Sequence, residues 1–112
     1  MKKYQLGEFE EIVLLTVGVL YGDAYGVAIK EEIEKRIQRK VSVGALQSAL
    51  RRMEDKGFLS SALGEATKTR GGKRKRYFKI TAFGKEALDF NMQTRLDLWK
   101  EIPDIAFQFK PC

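Results

Sequence analysis

The sequence predicts a small, mainly α-helical domain with one β-hairpin, in the order helix, helix, helix, hairpin, helix. Three observations predict it. Apolar residues recur at helical spacing in four stretches. Two short runs suited to strands flank a Gly71-Gly72 turn. Residues able to cap helix N-termini, Asp23, Ser42 and Thr81, stand ahead of three of the helical stretches. No internal repeat or low-complexity linker is visible, and 112 residues are about one domain's worth.

The first helix is expected over Gly7 to Tyr21. Its first turn carries Glu8, Glu10 and Glu11, which suits the positive end of the helix dipole. Phe9, Ile12, Val13, Leu14, Leu15, Val17, Val19 and Leu20 make it apolar nearly all round. Such a helix is buried on more than one side, so a partner subunit is expected to cover part of it. Tyr21-Gly22-Asp23 breaks the pattern, with Asp23 as N-cap of a second helix. Ile29, Ile33 and Ile37 form that helix's apolar stripe, and it should end near Arg39 or Lys40.

Val41 reads as a short extended residue and Ser42 as N-cap of a third helix, Val43 to Lys56, closed by Gly57. Leu46, Ala49, Leu50 and Met53 share its inner face. At ~100° per residue, Gly44, Ser48, Arg51, Arg52 and Asp55 fall opposite, with Gln47 on the flank. Strands are expected over Phe58 to Ala66 and Tyr77 to Ile80, joined through Gly71-Gly72. Thr81 caps a final helix, Ala82 to Lys100, that stops before Pro103. One of its stripes is Phe83, Ala87, Phe90 and Leu98. The other is Leu88, Met92, Leu96, Trp99 and Ile102. One stripe covers the helix's own domain, and a second copy of the chain is the simplest cover for the other. Pro103 to Cys112 shows no clear pattern.

Composition narrows the function. Apolar residues make up 44% and charged residues 32%, an ordinary soluble balance. No apolar run approaches the roughly 20 residues needed to cross a bilayer, and the N-terminus does not read as a signal peptide. One cysteine, Cys112, permits no internal disulfide, and a cytoplasmic setting is expected. The chain has no histidine. The commonest general base and the commonest metal ligand are therefore missing, no catalytic set can be assembled, and no cofactor is expected. The net charge is +6. Thr67 to Lys79 holds seven bases and no acid: Lys68, Arg70, Lys73, Arg74, Lys75, Arg76 and Lys79. These seven outnumber the whole net charge, so the rest of the chain is slightly acidic. A focused basic patch on such a body suits a polyanion.

Order, turn and charge together make a winged helix-turn-helix plan. The third helix can enter a major groove while the second lies across the backbone. Arg51 and Arg52 can reach guanine edges or phosphates, and Gln47 and Ser48 can donate to either. Amides at Ser42, Val43 and Gly44 favour an anion. The charged hairpin tip suits a narrow minor groove or its phosphates. Two other readings share these elements. A winged-helix module that binds protein and no DNA is one; a binder of RNA is the other, although few aromatics on the basic face argue against single-strand stacking.

These residues also resemble a known family. Leu6-Gly7-Glu8-Phe9-Glu10-Glu11-Ile12-Val13-Leu14-Leu15, Gly22-Asp23-Ala24-Tyr25-Gly26 and Val41-Ser42-Val43-Gly44-Ala45-Leu46 are similar to segments of PadR-like transcriptional regulators. So are Leu50-Arg51-Arg52-Met53-Glu54-Asp55-Lys56-Gly57-Phe58-Leu59, Gly71-Gly72-Lys73-Arg74-Lys75-Arg76-Tyr77-Phe78 and Ile80-Thr81-Ala82-Phe83-Gly84. The likeness runs from about Leu6 to Leu88. It implies a dimeric repressor whose C-terminal helices pair, in a family many of whose members release DNA when a small aromatic or lipophilic compound binds or when their own abundance changes. The chain departs from the family at Ala45, Gln47 and Ser48, where threonine, tyrosine and proline are common. Trp99 resembles in place a tryptophan that lines a ligand pore between subunits in compact members.

The expected DNA-facing set is therefore Tyr25, Ser42, Val43, Gly44, Gln47, Ser48, Arg51, Arg52, Arg70, Lys73, Arg74, Lys75 and Arg76. Leu88, Met92, Leu96 and Trp99 are expected at a dimer interface or ligand pore. Residues 1–80 are read as the DNA-binding domain and 81–112 as the dimerisation helix and tail. Expected partners are double-stranded DNA, a second copy and a small effector.

Overall fold

The computed structural model describes residues 2–64 and 74–108. After a 3-10 turn at Lys2–Tyr4 come helices α1 (Glu8–Val19), α2 (Gly26–Ile37) and α3 (Val43–Asp55). Strands β1 (Leu59–Leu63) and β2 (Arg76–Ile80) follow, then α4 (Ala82–Glu101) and a second 3-10 turn at Asp104–Phe107. The strands pair antiparallel, with Leu59 opposite Ile80, Ser61 opposite Phe78 and Leu63 opposite Arg76. Four helices and one hairpin, in the expected order, make a winged helix. Among the described residues no helix is long and apolar enough to cross a membrane.

The core follows from the apolar periods. Val13, Leu14 and Val17 of α1 meet Ile29 and Ile33 of α2 and Leu46, Ala49, Leu50 and Met53 of α3. Phe58, Leu59 and Phe78 close it from the hairpin side. Burying an aliphatic or aromatic side chain of this kind stabilises by about 1.5–3 kcal/mol. All four residues assigned to the inner face of α3 are buried. On α1, Leu15 and Val19 stay exposed, so one apolar side of that helix finds no cover within the chain.

The caps explain where the elements stop. Ser42 Oγ accepts from the Ala45 N–H (3.1 Å) and Thr81 Oγ1 from the Gly84 N–H (2.9 Å), as anticipated. Gly57 takes φ +86° just past α3, where a side chain would be strained. Asp23 is not the cap of α2. That helix begins at Gly26 with Tyr25 as its N-cap, because Ala24 and Tyr25 are drawn out beside the hairpin. Phe78 donates its N–H to the Ala24 carbonyl (2.8 Å), and Tyr25 bridges to Tyr77. The end of α2 also comes early, at Ile37. Gln38 turns left-handed (φ 58°) and the Glu34 carboxylate takes the Val41 N–H (2.8 Å), pulling the chain back before Arg39.

Helix α4 divides in two. Its first half docks: a Cβ on Gly84 would come within 2.2 Å of the Phe58 carbonyl oxygen, so only glycine allows this approach. Phe83 stacks on Phe58 (5.1 Å), and Ala87 is buried. Leu88, expected on the outward stripe, packs instead against this chain's own core. Leu98, expected on the inward stripe, is exposed, because the helix has left the body by then. This projection gives the molecule its elongated extents of 64 × 32 × 22 Å.

Candidate nucleic-acid interface

Helix α3 presents one row of exposed side chains, Val43, Gln47 and Arg51, spaced by four residues. Gly44 and Ser48 lie beside it and are also exposed. Ser42 spends its hydroxyl oxygen on the cap and keeps its O–H for another acceptor.

The wing lies alongside. Tyr25 meets Tyr77 edge-on (5.7 Å between ring centres, 72°), and Lys75 Nζ sits 4.0 Å from the Tyr25 ring centre. Arg76 Nη1 donates to Ser61 Oγ (2.9 Å), and Ser61 donates on to Glu54 of α3 (2.7 Å). The base of β2 is thus tied to both helices. Between them opens a cleft of about 380 Å³. Its walls include Tyr25 just ahead of α2, Lys30 of α2, Val43 and Gln47 of α3, and Lys75 and Arg76 of the wing. Tyr25, Val43, Gln47, Lys75 and Arg76, all picked out from sequence, are brought together here, and Arg74 is exposed just beyond them.

Gly26, Val27, Lys30, Leu46 and Phe78 also line the cleft and were not in the expected DNA-facing set. Val27 lies on the α2 face opposite Ile29 and Ile33 and is 59% exposed, and Lys30 lies on the flank of that helix. A lone exposed valine beside a lysine on an otherwise well-patterned helix was the available signal.

Arg52 goes elsewhere. Its Nε donates to Glu10 Oε2 (2.9 Å), and Lys56 Nζ reaches Glu10 Oε1 (3.3 Å). Glu10 is buried and also accepts the Gly7 N–H (2.9 Å). Burial alone would push its carboxyl up, but the Gly7 N–H, Arg52 and Lys56 outweigh that and hold it below the usual carboxylate range. The Arg52 guanidinium therefore anchors α3 to α1, and it lies 100° around the helix from Arg51. Arg70 and Lys73 lie outside the described residues.

On α4, Met92, Leu96 and Trp99 line a second, shallower groove of about 440 Å³ with Asp89, Gln93 and Arg95. The Trp99 ring also meets Phe107 of the tail at 5.8 Å. Among the described residues no group of carboxylates or cysteine is placed to hold a metal ion.

The model of the transcriptional regulator PadR-like family matches residues 14–89, more than half of the chain. The chain belongs to the PadR-like family of transcriptional regulators. RosR of H. salinarum superposes on this PadR-like chain with a TM-score of 0.69 at 22% identity, over 89% of this chain and 83% of RosR. A PadR-like transcription factor from Bacteroides fragilis superposes with a TM-score of 0.68 at 24% identity, over 89% and 88% of the two chains. A PadR family regulator from Clostridium difficile R20291 gives 0.60 at 27% identity, over 80% and 91%. No curated protein matches the chain. As a PadR-like protein it is a DNA-binding transcription regulator and not an enzyme.

Proposed function

We propose that the chain is a sequence-specific, cytoplasmic repressor that binds double-stranded DNA as a homodimer. Helix α3 enters the major groove, with Val43, Gln47, Ser48 and Arg51 toward the bases. Tyr25, Lys75 and Arg76 follow the backbone beside it, and Arg74 points on toward the minor groove. The observation that carries this reading is the single cleft shared by Gln47, Lys75 and Arg76. It supports one DNA-facing side for the helix and the wing. Arg52 is left out of the contact set, since Glu10 holds it.

Residues 1–80 serve as the DNA-binding unit and 81–112 as the dimerisation helix and tail. Exposed Met92, Leu96, Leu98 and Trp99, with Leu15 and Val19 of α1, supply the apolar surface a second copy would cover. The groove at Met92, Leu96 and Trp99 suits a small aromatic or lipophilic effector that releases the DNA.

A salt titration of binding to a duplex selected from a random library tests the reading. If each subunit neutralises about three to five phosphates, the log–log slope is roughly −5 to −9. A flat response, or equal binding to the selected and random duplexes, refutes it.

A further inference from the structure

Two adjacent carboxylates in the first turn of α1 have roles that the reading above does not use. Glu10 and Glu11 are both buried, at 6% and 3% exposure. Neighbours on a helix point about 100° apart, so the two reach different partners. Glu10 grips α3 through Arg52 and Lys56. Glu11 Oε1 grips α4 through Arg95 Nη1, and Glu11 Oε2 is buried with no hydrogen-bond partner among the described residues. Arg95 is the single cation paired with Glu11 there, so the charge balance of this turn depends on it. Arg95 also lines the α4 groove beside Met92, Leu96 and Trp99, with its side chain 55% exposed. One side chain thus faces the groove and holds the turn that holds α3.

We propose that Arg95, acting through Glu11 and Glu10, is a positioning residue for helix α3, so that loss of the Arg95–Glu11 pairing alters the seat of α3. Withdrawing Arg95 leaves two adjacent buried carboxylates to share Arg52 and Lys56. A buried charge without a partner is costly, so the turn must shift or draw Arg52 toward Glu11. Each response loosens Glu10's hold on α3. The DNA consequence rests on α3 being the reading helix, as proposed above; the mechanical link does not.

The test uses the full chain as wild type, Arg95→Gln, Arg95→Lys and the double variant Arg95→Gln/Glu11→Gln. Amide hydrogen exchange is measured without DNA, and affinity is measured for a library-selected duplex and for random duplex. Arg95→Gln should speed exchange in the first turn of α1 and across Val43–Asp55, beyond any change in α4. It should also weaken the selected duplex roughly two- to thirtyfold with random duplex unchanged. Arg95→Lys should stay near wild type. The double variant should recover, since the orphaned charge is gone. Faster exchange confined to α4, an even loss across all helices, or no recovery in the double variant overturns the proposal. If the wild type prefers no duplex, the DNA reading falls, and the exchange pattern alone decides the link.

Discussion

Arg51 and Arg52 are neighbours in sequence with opposite assignments, and exchanging each for alanine separates them. Arg51 continues the exposed row of Val43 and Gln47, and no salt bridge to it occurs among the described residues. Arg51→Ala should leave stability within about 0.5 kcal/mol of wild type, as for most surface changes. It should weaken the selected duplex by about 1–3 kcal/mol if the guanidinium reads a base. Arg52 pairs at 2.9 Å with a Glu10 side chain that is 8% exposed, while its own is 53% exposed. Opposite unit charges about 4 Å apart attract by about 4 kcal/mol at an effective dielectric near 20. The half-exposed guanidinium is screened, and Lys56 and the Gly7 N–H still hold Glu10, so about 1–2 kcal/mol of stability should be lost in Arg52→Ala. Urea unfolding reads the first quantity and fluorescence anisotropy on labelled duplex the second. The reasoning is refuted if Arg52→Ala is as stable as wild type while binding falls, or if Arg51→Ala destabilises and leaves binding intact.

Three further outcomes are expected. Glu10 has a folded-state pKa below its unfolded value near about 4.3, so its contribution is complete above that pH and is lost as pH falls through the lower folded value. Glu10→Gln should therefore flatten the acid limb of a stability–pH curve below about pH 4.3, and an unchanged limb would contradict the pairing. Tyr25→Ala removes the edge contact with Tyr77 and the ring under Lys75, which together stabilise by about 1–2.5 kcal/mol. Tyr25→Phe should retain most of this in urea melts, whereas a loss as large as alanine's would mean that the hydroxyl matters and the ring does not. Leu96→Glu places a charge on a residue 45% exposed, so the subunit should fold within about 0.5 kcal/mol of wild type. If the chain pairs through α4 as proposed, sedimentation should show dimer for the wild type and monomer for the variant, and an unchanged mass would remove α4 from the proposed interface.

Much of this arrangement is legible from local pattern. The inner face of α3, its Ser42 cap and the Thr81 cap all depend on residues within a turn or two of each other, and the two strand runs are short local patterns. Spacing alone therefore places Ser48 and Arg51 outward, Gln47 on the flank, and Leu46 and Leu50 inward. The start of α2 is a counterexample. Asp23 is a good cap by type, but the Phe78 N–H, far along the chain, claims the Ala24 carbonyl and holds that segment extended. Leu88 likewise sits on the outward stripe by period, and only the docking of α4 at Gly84 turns it toward the core.

By itself the sequence determined the order of elements, the faces of the third helix and the concentration of charge in the wing, because helical period, caps and turn residues act over a few positions. Tertiary structure decided which arginine is held and which is left exposed, which residues of α2 join the cleft, and that α1 clasps both α3 and α4. The choice of arginine and the clasp of α1 depend on Glu10 meeting Arg52 and Glu11 meeting Arg95 across long stretches of chain. A carboxylate's partner is chosen by three-dimensional proximity and burial, which no spacing rule encodes.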